Sequence, residues 1–279
     1  MTDAAATPEA QYDVFRARRN EMAVLPQGNL ALINTQWFYD APGVNETVWG
    51  APGQWAALAE GEQGLQLTAT AQDGITVDGE LVDGTIIVRG KDSGDAASTI
   101  VFDENRTGTI IHGEDGKYGL RVWDSQSDDI QNFGGIDAYP YNPEWVVTGT
   151  FTPIEGGRAV EVSHLKDSAG ARDKVIPGDI AFTIDGVEHH PIAFPEGRAL
   201  MMVFADATSG NETYSVGRFL LCAPNPDGTI TLDFNRAYLP PCAFNYNFNC
   251  PMPPAENRFS FKVEAGEKNV VNKAGELLH

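Results

Sequence analysis

The chain is poor in cysteine, in basic residues and in long apolar runs. Only three cysteines occur among 279 residues, at positions 222, 242 and 250. The N-terminal residues lack the basic stretch and apolar core of a secretory signal, so we expect reduced thiols and a cytoplasmic location. No apolar stretch approaches the ~18 residues that a membrane-spanning helix requires, so no such helix is predicted.

Basic residues are few in comparison with acidic ones. The chain has 39 Asp and Glu against 19 Lys and Arg, which gives a formal net charge of −20 and a pI near 4.4. Such a surface repels phosphate backbones and anionic lipids, so we expect neither nucleic acid nor a membrane as a partner. We interpret the acidity as a source of solubility, with an acid-rich face for a cation as the alternative.

The composition and turn pattern predict a globular, mostly β protein. Hydrophobic residues make up 42% of the chain, which is enough for a sizeable core. Asp-Gly pairs recur along the chain and suit tight hairpin turns, whose central positions need positive φ. Between them lie short runs with β-rich composition, many of which alternate apolar and polar residues. We therefore predict an antiparallel barrel or sandwich of short strands. The predicted strands are 65–71, 85–89, 99–102, 109–112, 118–123, 145–151, 180–184, 199–204, 218–222, 229–234 and 259–263.

Three segments are predicted along the chain. Residues 1–7 are expected to form a disordered tail. Residues 8–64 hold an amphipathic helix, which starts at Thr7 and Pro8 and carries Tyr12 and Met22 on one face, followed by an aromatic connecting segment. A short helix over 54–60 is possible there, and we interpret the aromatic residues as core rather than as a stacking platform. Residues 65–279 form the all-β domain. This domain includes a short acidic helix near 125–133 and a possible seam at 152–157, which could equally be a loop.

A proline-rich segment near the C-terminus gives the strongest indication of a site. Residues 233–258 combine charged, amide, thiol and aromatic side chains with prolines, which exclude a regular helix and a central strand. A rigid loop with a polar lining remains, and loops held by a scaffold often carry function. A second polar loop, residues 206–214, follows a predicted strand and precedes Gly217 and Arg218.

We expect these two segments to meet and to bind a small polar or anionic ligand. Arg218 and Arg236 would contact its charge, because a guanidinium group offers a planar fork to carboxylate or phosphate. Polar side chains would orient the ligand, and the two cysteines would line the wall. The alternative is a structural ion pair between Arg218 and Asp233. The predicted ligand-binding residues are Asp206, Thr208, Tyr214, Arg218, Asp233, Asn235, Arg236, Tyr238, Cys242, Cys250 and Asn257.

Other chemistries are less favoured by the sequence. Cys242 and Cys250 have no third ligand near them, and the rings of His189 and His190 would point to opposite faces of a strand, so no metal site is predicted. Signatures of cysteine and serine hydrolases are absent, as are glycine-rich phosphate loops. The sequence leaves the identity of any cofactor unknown. The enzyme alternative is a small-molecule hydrolase that uses Asp206 or Asp233 as general base, with or without a metal. A third hypothesis is that the chain forms a structural or interaction domain.

Several runs of the sequence resemble the bacterial and archaeal family known as domain of unknown function 1684. The two main signatures are 206–220 and 232–244 with 250–258, and 264–268 resembles the close of the family pattern. Further similar positions are 118–124, 133–140, Trp145, Phe15, Arg16 and Arg19. The resemblance covers roughly residues 110–268 and implies an architecture and a site, but no reaction, because the family has no established activity.

Two departures from the family pattern stand out. Ser215 and Val216 replace glycines before Gly217, which could alter access to the pocket. The aromatic stretch over 34–55 is also longer than the usual link from the helix to the first strands.

Overall fold

The computed structural model describes residues 6–94, 96–113, 115–166 and 172–279. Within them the protein is mostly β, its sheets are antiparallel, and one long helix lies near the N-terminus. The chain divides into two compact units, Met1–Glu21 with Phe133–His279, and Met22–Asn132. The predicted boundary at residue 64 differs from these limits, since strands on either side of it pair with one another. Positions 1–5 of the predicted tail lie outside the described residues.

Helix α1 (Pro8–Ala23) begins where its capping signal predicts. The Thr7 hydroxyl accepts a hydrogen bond from the amide of Ala10 at 3.2 Å, which satisfies one of the amides at the helix start. The predicted apolar face forms only in part, since Tyr12 is buried whereas Met22 is exposed.

The unit formed by Met22–Asn132 has its core between two sheets. Its described strands, followed by the short helix α2 (Asp128–Asn132), are β1 (Leu32–Trp37), β2 (Glu46–Val48), β3 (Ala51–Ala57), β4 (Leu65–Ala69), β5 (Thr76–Val77), β6 (Glu80–Leu81), β7 (Gly84–Val88), β8 (Ile100–Val101), β9 (Arg106–His112) and β10 (Tyr118–Asp124). They form one sheet in the order β1-β10-β9-β8-β5-β6 and another in the order β2-β3-β4-β7. Trp55 of one sheet and Val122 of the other belong to the same buried cluster. Trp49, by contrast, is exposed, so the aromatic segment belongs only partly to the core.

The other unit carries both segments of the predicted site. Its described strands are β11 (Phe133–Ala138), β12 (Val146–Val162), β13 (Arg172–Ile184), β14 (Val187–His189), β15 (Phe194–Glu196), β16 (Ala199–Phe204), β17 (Arg218–Cys222), β18 (Thr229–Asp233) and β19 (Glu267–Asn272). The sheet orders are β14-β13-β12-β18, β15-β16-β17 and β11-β19. After β18 the chain leaves strand geometry and forms short 3-10 turns at 234–236, 241–243 and 255–257, as its prolines lead one to expect.

Two of the predicted Asp-Gly turns form tight hairpins. Asp78 and Gly79 join β5 to β6 with φ values of 55° and 86°. Asp185 and Gly186 join β13 to β14 with φ values of 53° and 78°. Positive φ at both central residues is the type I′ geometry that matches strand twist, so the turn prediction is confirmed at these two places.

Two local predictions are wrong. Residues 54–60 do not form a helix, because Ala51–Ala57 pairs as β3 between β2 and β4. Residues 259–263 do not form a strand; instead Phe259 donates a backbone hydrogen bond to Ala205, and Phe261 accepts one from Ala207. The short helix predicted near 125–133 is present as α2.

The possible seam at 152–157 lies inside β12. The pairing of β12 with β13 shifts register between Pro153 and Arg158, and Gly156 and Gly157 both have φ of 72°. The segment is therefore an irregularity within a paired strand. None of the sheets closes into a barrel in the part of the chain that the structure describes.

Candidate functional site

The two polar segments of the predicted site lie side by side. Phe219 in β17 and Tyr238 exchange backbone hydrogen bonds of 2.8 Å in both directions. The Tyr214 hydroxyl donates to the carbonyl of Cys242 at 3.1 Å. Because β17 pairs with β16 on its other edge, the segment after β18 extends this sheet and brings residues 206–222 next to residues 233–258.

Arg218 is buried in this region and is occupied by internal acceptors. Its side chain is 0% exposed, and one terminal nitrogen donates to Asp206 at 2.7 Å and to the carbonyl of Val263 at 2.8 Å. The other terminal nitrogen donates to the carbonyls of Ala265 and Glu267. A guanidinium group held in this way joins the β17 edge to the chain before β19, and it offers no exposed fork to a ligand.

Asp206 is occupied in the same manner. Its Oδ1 atom accepts hydrogen bonds from the amides of Thr208 at 2.8 Å and Val263 at 3.1 Å, while Oδ2 accepts from Arg218. The Thr208 hydroxyl is itself paired with that of Thr213 at 2.9 Å. Asp206 and Thr208 therefore shape the polar loop from within.

The predicted ion pair between Arg218 and Asp233 is wrong. Asp233 ends β18, whose described partner is β12 rather than β17. The carboxylate accepts from the amide of Asn235, which caps the 234–236 turn, and it lies 3.4 Å from Nε of Arg236. Arg218 meets Asp206 instead, because both side chains point into the core.

The two predicted asparagines also bridge separate parts of the chain. Asn257 is 0% exposed; it accepts from the amide of Ile192 at 2.8 Å and donates to the carbonyls of Ile192 and Val203 at 2.8 and 2.7 Å. Asn235 makes the same kind of reciprocal pair with the backbone of Asn142. Buried amides with these partners are structural cross-links.

Arg236 is the predicted arginine that keeps an exposed guanidinium group. Its side chain is 47% exposed, and the carboxylate beside it, on Asp233, is 27% exposed. The guanidinium carbon lies 5.9 Å from the ring centre of Phe15 on α1. Phe15 precedes Arg19 by one helical turn, so the two residues share one face of α1. Arg236 packs against that face through Phe15.

Glu267 is the central group that the sequence reasoning did not single out. Its carboxylate is 0% exposed and accepts from Arg19 at 2.8 Å, from Arg16 at 3.3 Å and from the amide of Leu239 at 2.7 Å. The Arg19 guanidinium lies 5.0 Å from the centre of the Tyr238 ring. The signal was present, since the family resemblance includes Arg16, Arg19 and the run 264–268, but nothing local indicated that they would meet.

The two C-terminal cysteines are neighbours in a buried setting. The amide of Cys242 donates to the sulfur of Cys250 at 3.2 Å, and both residues are buried. A hydrogen bond from the Cys250 side chain, with help from Tyr214 and Lys166, holds the pKa of the Cys242 thiol below its ordinary value. Burial has the opposite effect on Cys222, whose pKa it raises to about 12.

Burial raises the pKa values of the tyrosines near the site. Desolvation raises the pKa of Tyr238 to about 12 and also raises that of Tyr214.

The two neighbouring histidines, which are candidate metal ligands, have different surroundings. His189 packs against Phe261 with ring centres 4.9 Å apart, and His190 is exposed beside Glu188. In the described residues, no group of three or more His, Cys, Asp or Glu side chains is placed to hold a metal ion.

No helix among the described residues is both long and apolar enough to cross a membrane.

Comparison with known proteins gives a family but no activity. The family model described as "Protein of unknown function (DUF1684)" matches residues 131–268. The match begins later than the predicted 110, so the resemblances at 118–124 and in α1 lie outside it. No curated protein matches this chain.

One solved structure is a relative in sequence. An uncharacterized protein of Haloarcula marismortui, whose structure was determined in solution by NMR, is 34% identical over 48% of this chain and 76% of its own, with a TM-score of 0.40. Both the family model and this relative match the chain in sequence. The chain belongs to the DUF1684 family of proteins of unknown function.

Proposed function

We propose that the protein binds a small anionic ligand at Arg236, on the face of α1 that carries Phe15 and Arg19. The observation that supports this most directly is the difference between the two predicted arginines. Arg218 is buried with four internal acceptors, whereas the Arg236 side chain is 47% exposed and its Asp233 partner lies at 3.4 Å. That separation is longer than a strong charged hydrogen bond, so donors of Arg236 remain for a ligand.

The surroundings supply the other parts of a ligand site. Phe15 supports the guanidinium group of Arg236, and Tyr238 supports that of Arg19. Arg16 and Arg19 share one buried carboxylate, Glu267, so the positive charge on this face is only partly neutralised. In a chain with net charge −20, such a grouping of arginines favours a carboxylate or phosphate group as the ligand.

The experiment measures binding of inorganic phosphate and of a panel of small dicarboxylates by thermal shift and calorimetry. Arg236→Gln is expected to lower the affinity for the best ligand at least about tenfold, which corresponds to the ~1.5–3 kcal/mol of a charged hydrogen bond. Arg198→Gln is the matched control, because Arg198 is an exposed arginine of the same unit and should leave binding unchanged. If no member of the panel binds, or if both variants bind like the wild type, the proposal fails.

Of the two candidate general bases, Asp233 is the one that a substrate could reach. We do not propose Asp206 as a general base, because its side chain is 0% exposed and both of its oxygens accept internal hydrogen bonds. Asp233 is 27% exposed and adjoins Arg236, so a bound substrate could reach it. If this alternative holds, Asp233→Asn would abolish turnover of the ligand that binds at Arg236. If the variant changes only the affinity for that ligand, the enzyme alternative fails.

Two further expectations belong with this proposal. The low number of cysteines, three in 279 residues, supports a reducing compartment such as the cytoplasm. The shared core between the two sheets of Met22–Asn132 supports a sandwich rather than a barrel for that unit.

A further inference from the structure

The contact between Cys242 and Cys250 places two thiols within reach of each other. The Cys250 sulfur lies 3.2 Å from the backbone nitrogen of Cys242, and that nitrogen is separated from the Cys242 sulfur by only two carbon atoms. The Cys250 side chain is also the largest influence on the pKa of the Cys242 thiol, which it lowers. Two cysteines held this close can form a disulfide by rotating about their side-chain bonds, with little movement of the backbone.

The surrounding chain holds this pair in place. Cys242 lies in the short turn Pro241–Ala243, and its carbonyl accepts the Tyr214 hydroxyl. The backbone of Cys250 accepts from the amide of Leu165, next to the end of β12. The positions of both thiols therefore depend on contacts across the unit rather than on the eight-residue separation alone.

The surroundings of Cys242 favour the thiolate form more than those of Cys222 do. Hydrogen bonds from Cys250 and Tyr214 and the charge of Lys166 favour its thiolate form. Cys222 is buried too, but desolvation raises its pKa to about 12, and its thiol faces the carbonyl of Leu200 at 3.7 Å. Since the thiolate is the nucleophile, Cys222 is an internal control for burial without activation.

We propose that Cys242 and Cys250 form a redox site that hydrogen peroxide converts reversibly into a disulfide. The Cys242 thiolate attacks one oxygen of the peroxide, the O–O bond breaks, and hydroxide leaves and takes up a proton; the sulfur becomes a sulfenic acid. Cys250 gives up its proton and attacks that sulfur, so the S–S bond forms, the S–O bond breaks, and water leaves. Two thiols and one peroxide thus yield one disulfide and two waters, and a dithiol reductant reverses the change.

The burial of both cysteines restricts the oxidant. Cys242 is 2% exposed and Cys250 is 3% exposed, which excludes a bulky disulfide as the oxidant and restricts it to a molecule as small as hydrogen peroxide. This site is distinct from the proposed anion site, because the cysteine contacts described above are with Tyr214, Leu165 and Lys166 rather than with Arg236.

The experiment treats the full-length reduced protein with hydrogen peroxide and follows thiols by alkylation under denaturing conditions, intact mass and peptide mapping. We expect two of the three thiols to be lost together as a linked Cys242–Cys250 peptide within one chain, with full recovery after dithiothreitol. Cys222 should lose its thiol at least about tenfold more slowly, because its thiolate fraction is far smaller. Cys222→Ser should oxidise like the wild type.

Cys250→Ser tests the order of the steps. It should retain a sulfenic acid at Cys242 that dimedone captures, whereas the wild type should pass through this state to the disulfide. The main result uses the wild-type chain, so a poorly folding variant does not remove the test. The proposal is overturned if peroxide leaves the native thiols intact, if Cys222 reacts as fast as the pair, or if the linked peptides join other cysteines or separate chains.

Discussion

Arg218 illustrates how a charged side chain becomes part of a protein core. Its guanidinium group meets Asp206 and three backbone carbonyls, and it lies 5.2 Å from the ring centre of Phe204. Removing a group from such an arrangement leaves a buried charge and several carbonyls without partners. A polar signature in sequence can thus mark a structural cross-link as readily as a ligand site.

Arg218→Met should destabilise the protein by about 3–5 kcal/mol, because Asp206 would remain as an uncompensated buried charge. Urea unfolding followed by circular dichroism measures this change. Arg198→Gln, which removes an exposed arginine, should stay within about 0.5 kcal/mol of the wild type. A cost below about 1 kcal/mol for Arg218→Met would contradict the structural role that we assign to the pair.

At the scale of elements, β17 depends on the glycine that precedes it. Gly217 has φ of 110°, and a Cβ atom there would lie 2.2 Å from the carbonyl oxygen of Phe204 on the neighbouring strand β16. The β16–β17 register places Phe204 opposite Arg218, so the close approach at Gly217 and the burial of Arg218 belong to one arrangement. The glycine matters here because it permits contact between backbones, rather than because it makes the loop flexible.

Gly217→Ala should cost about 2 kcal/mol or more, since the strain of positive φ adds to a clash with a backbone atom that cannot move freely. The thermal midpoint and the urea midpoint both report the loss. Gly228→Ala is the matched control, because Gly228 also has positive φ, 81°, but a Cβ atom there meets nothing within 4 Å. Equal losses for the two variants would mean that the contact with Phe204 contributes nothing.

At the scale of the whole molecule, tyrosines that are at least partly buried occur in both compact units. Burial raises the pKa of Tyr118 and Tyr238 to about 12, and it also raises those of Tyr12, Tyr139 and Tyr214. A hydroxyl whose pKa is higher in the folded than in the unfolded chain favours folding only while it is protonated. Its contribution is complete below the unfolded pKa near 10 and is lost as the pH rises through the folded value.

The free energy of unfolding should therefore fall as the pH rises from about 10 to about 12. Ultraviolet absorbance of tyrosinate, recorded together with circular dichroism, tests this. Five of the eight tyrosines have the raised pKa, so their titration should coincide with loss of the fold. Titration of all tyrosines near pH 10 with an unchanged circular dichroism spectrum would contradict it.

Local signals were sufficient for several elements. Thr7 and Pro8 predicted the start of α1, and the Asp-Gly pairs at 78–79 and 185–186 predicted type I′ hairpins. These succeeded because capping and positive φ are decided within a few residues. The helix predicted at 54–60 failed because β3 is stabilised by partners in β2 and β4, which no local pattern reveals.

The candidate site, too, was predicted only where local sequence signals were sufficient. By itself the sequence determined the family, the mostly β class and the segments 206–218 and 233–258 in which the unusual polar residues occur, because composition and turn chemistry are local properties. Only the tertiary structure decided which arginine is buried and which is exposed. That choice depends on where Asp206, Asp233 and the C-terminal carbonyls come to lie once distant strands pair, and burial is a property of the packed chain rather than of any residue within it.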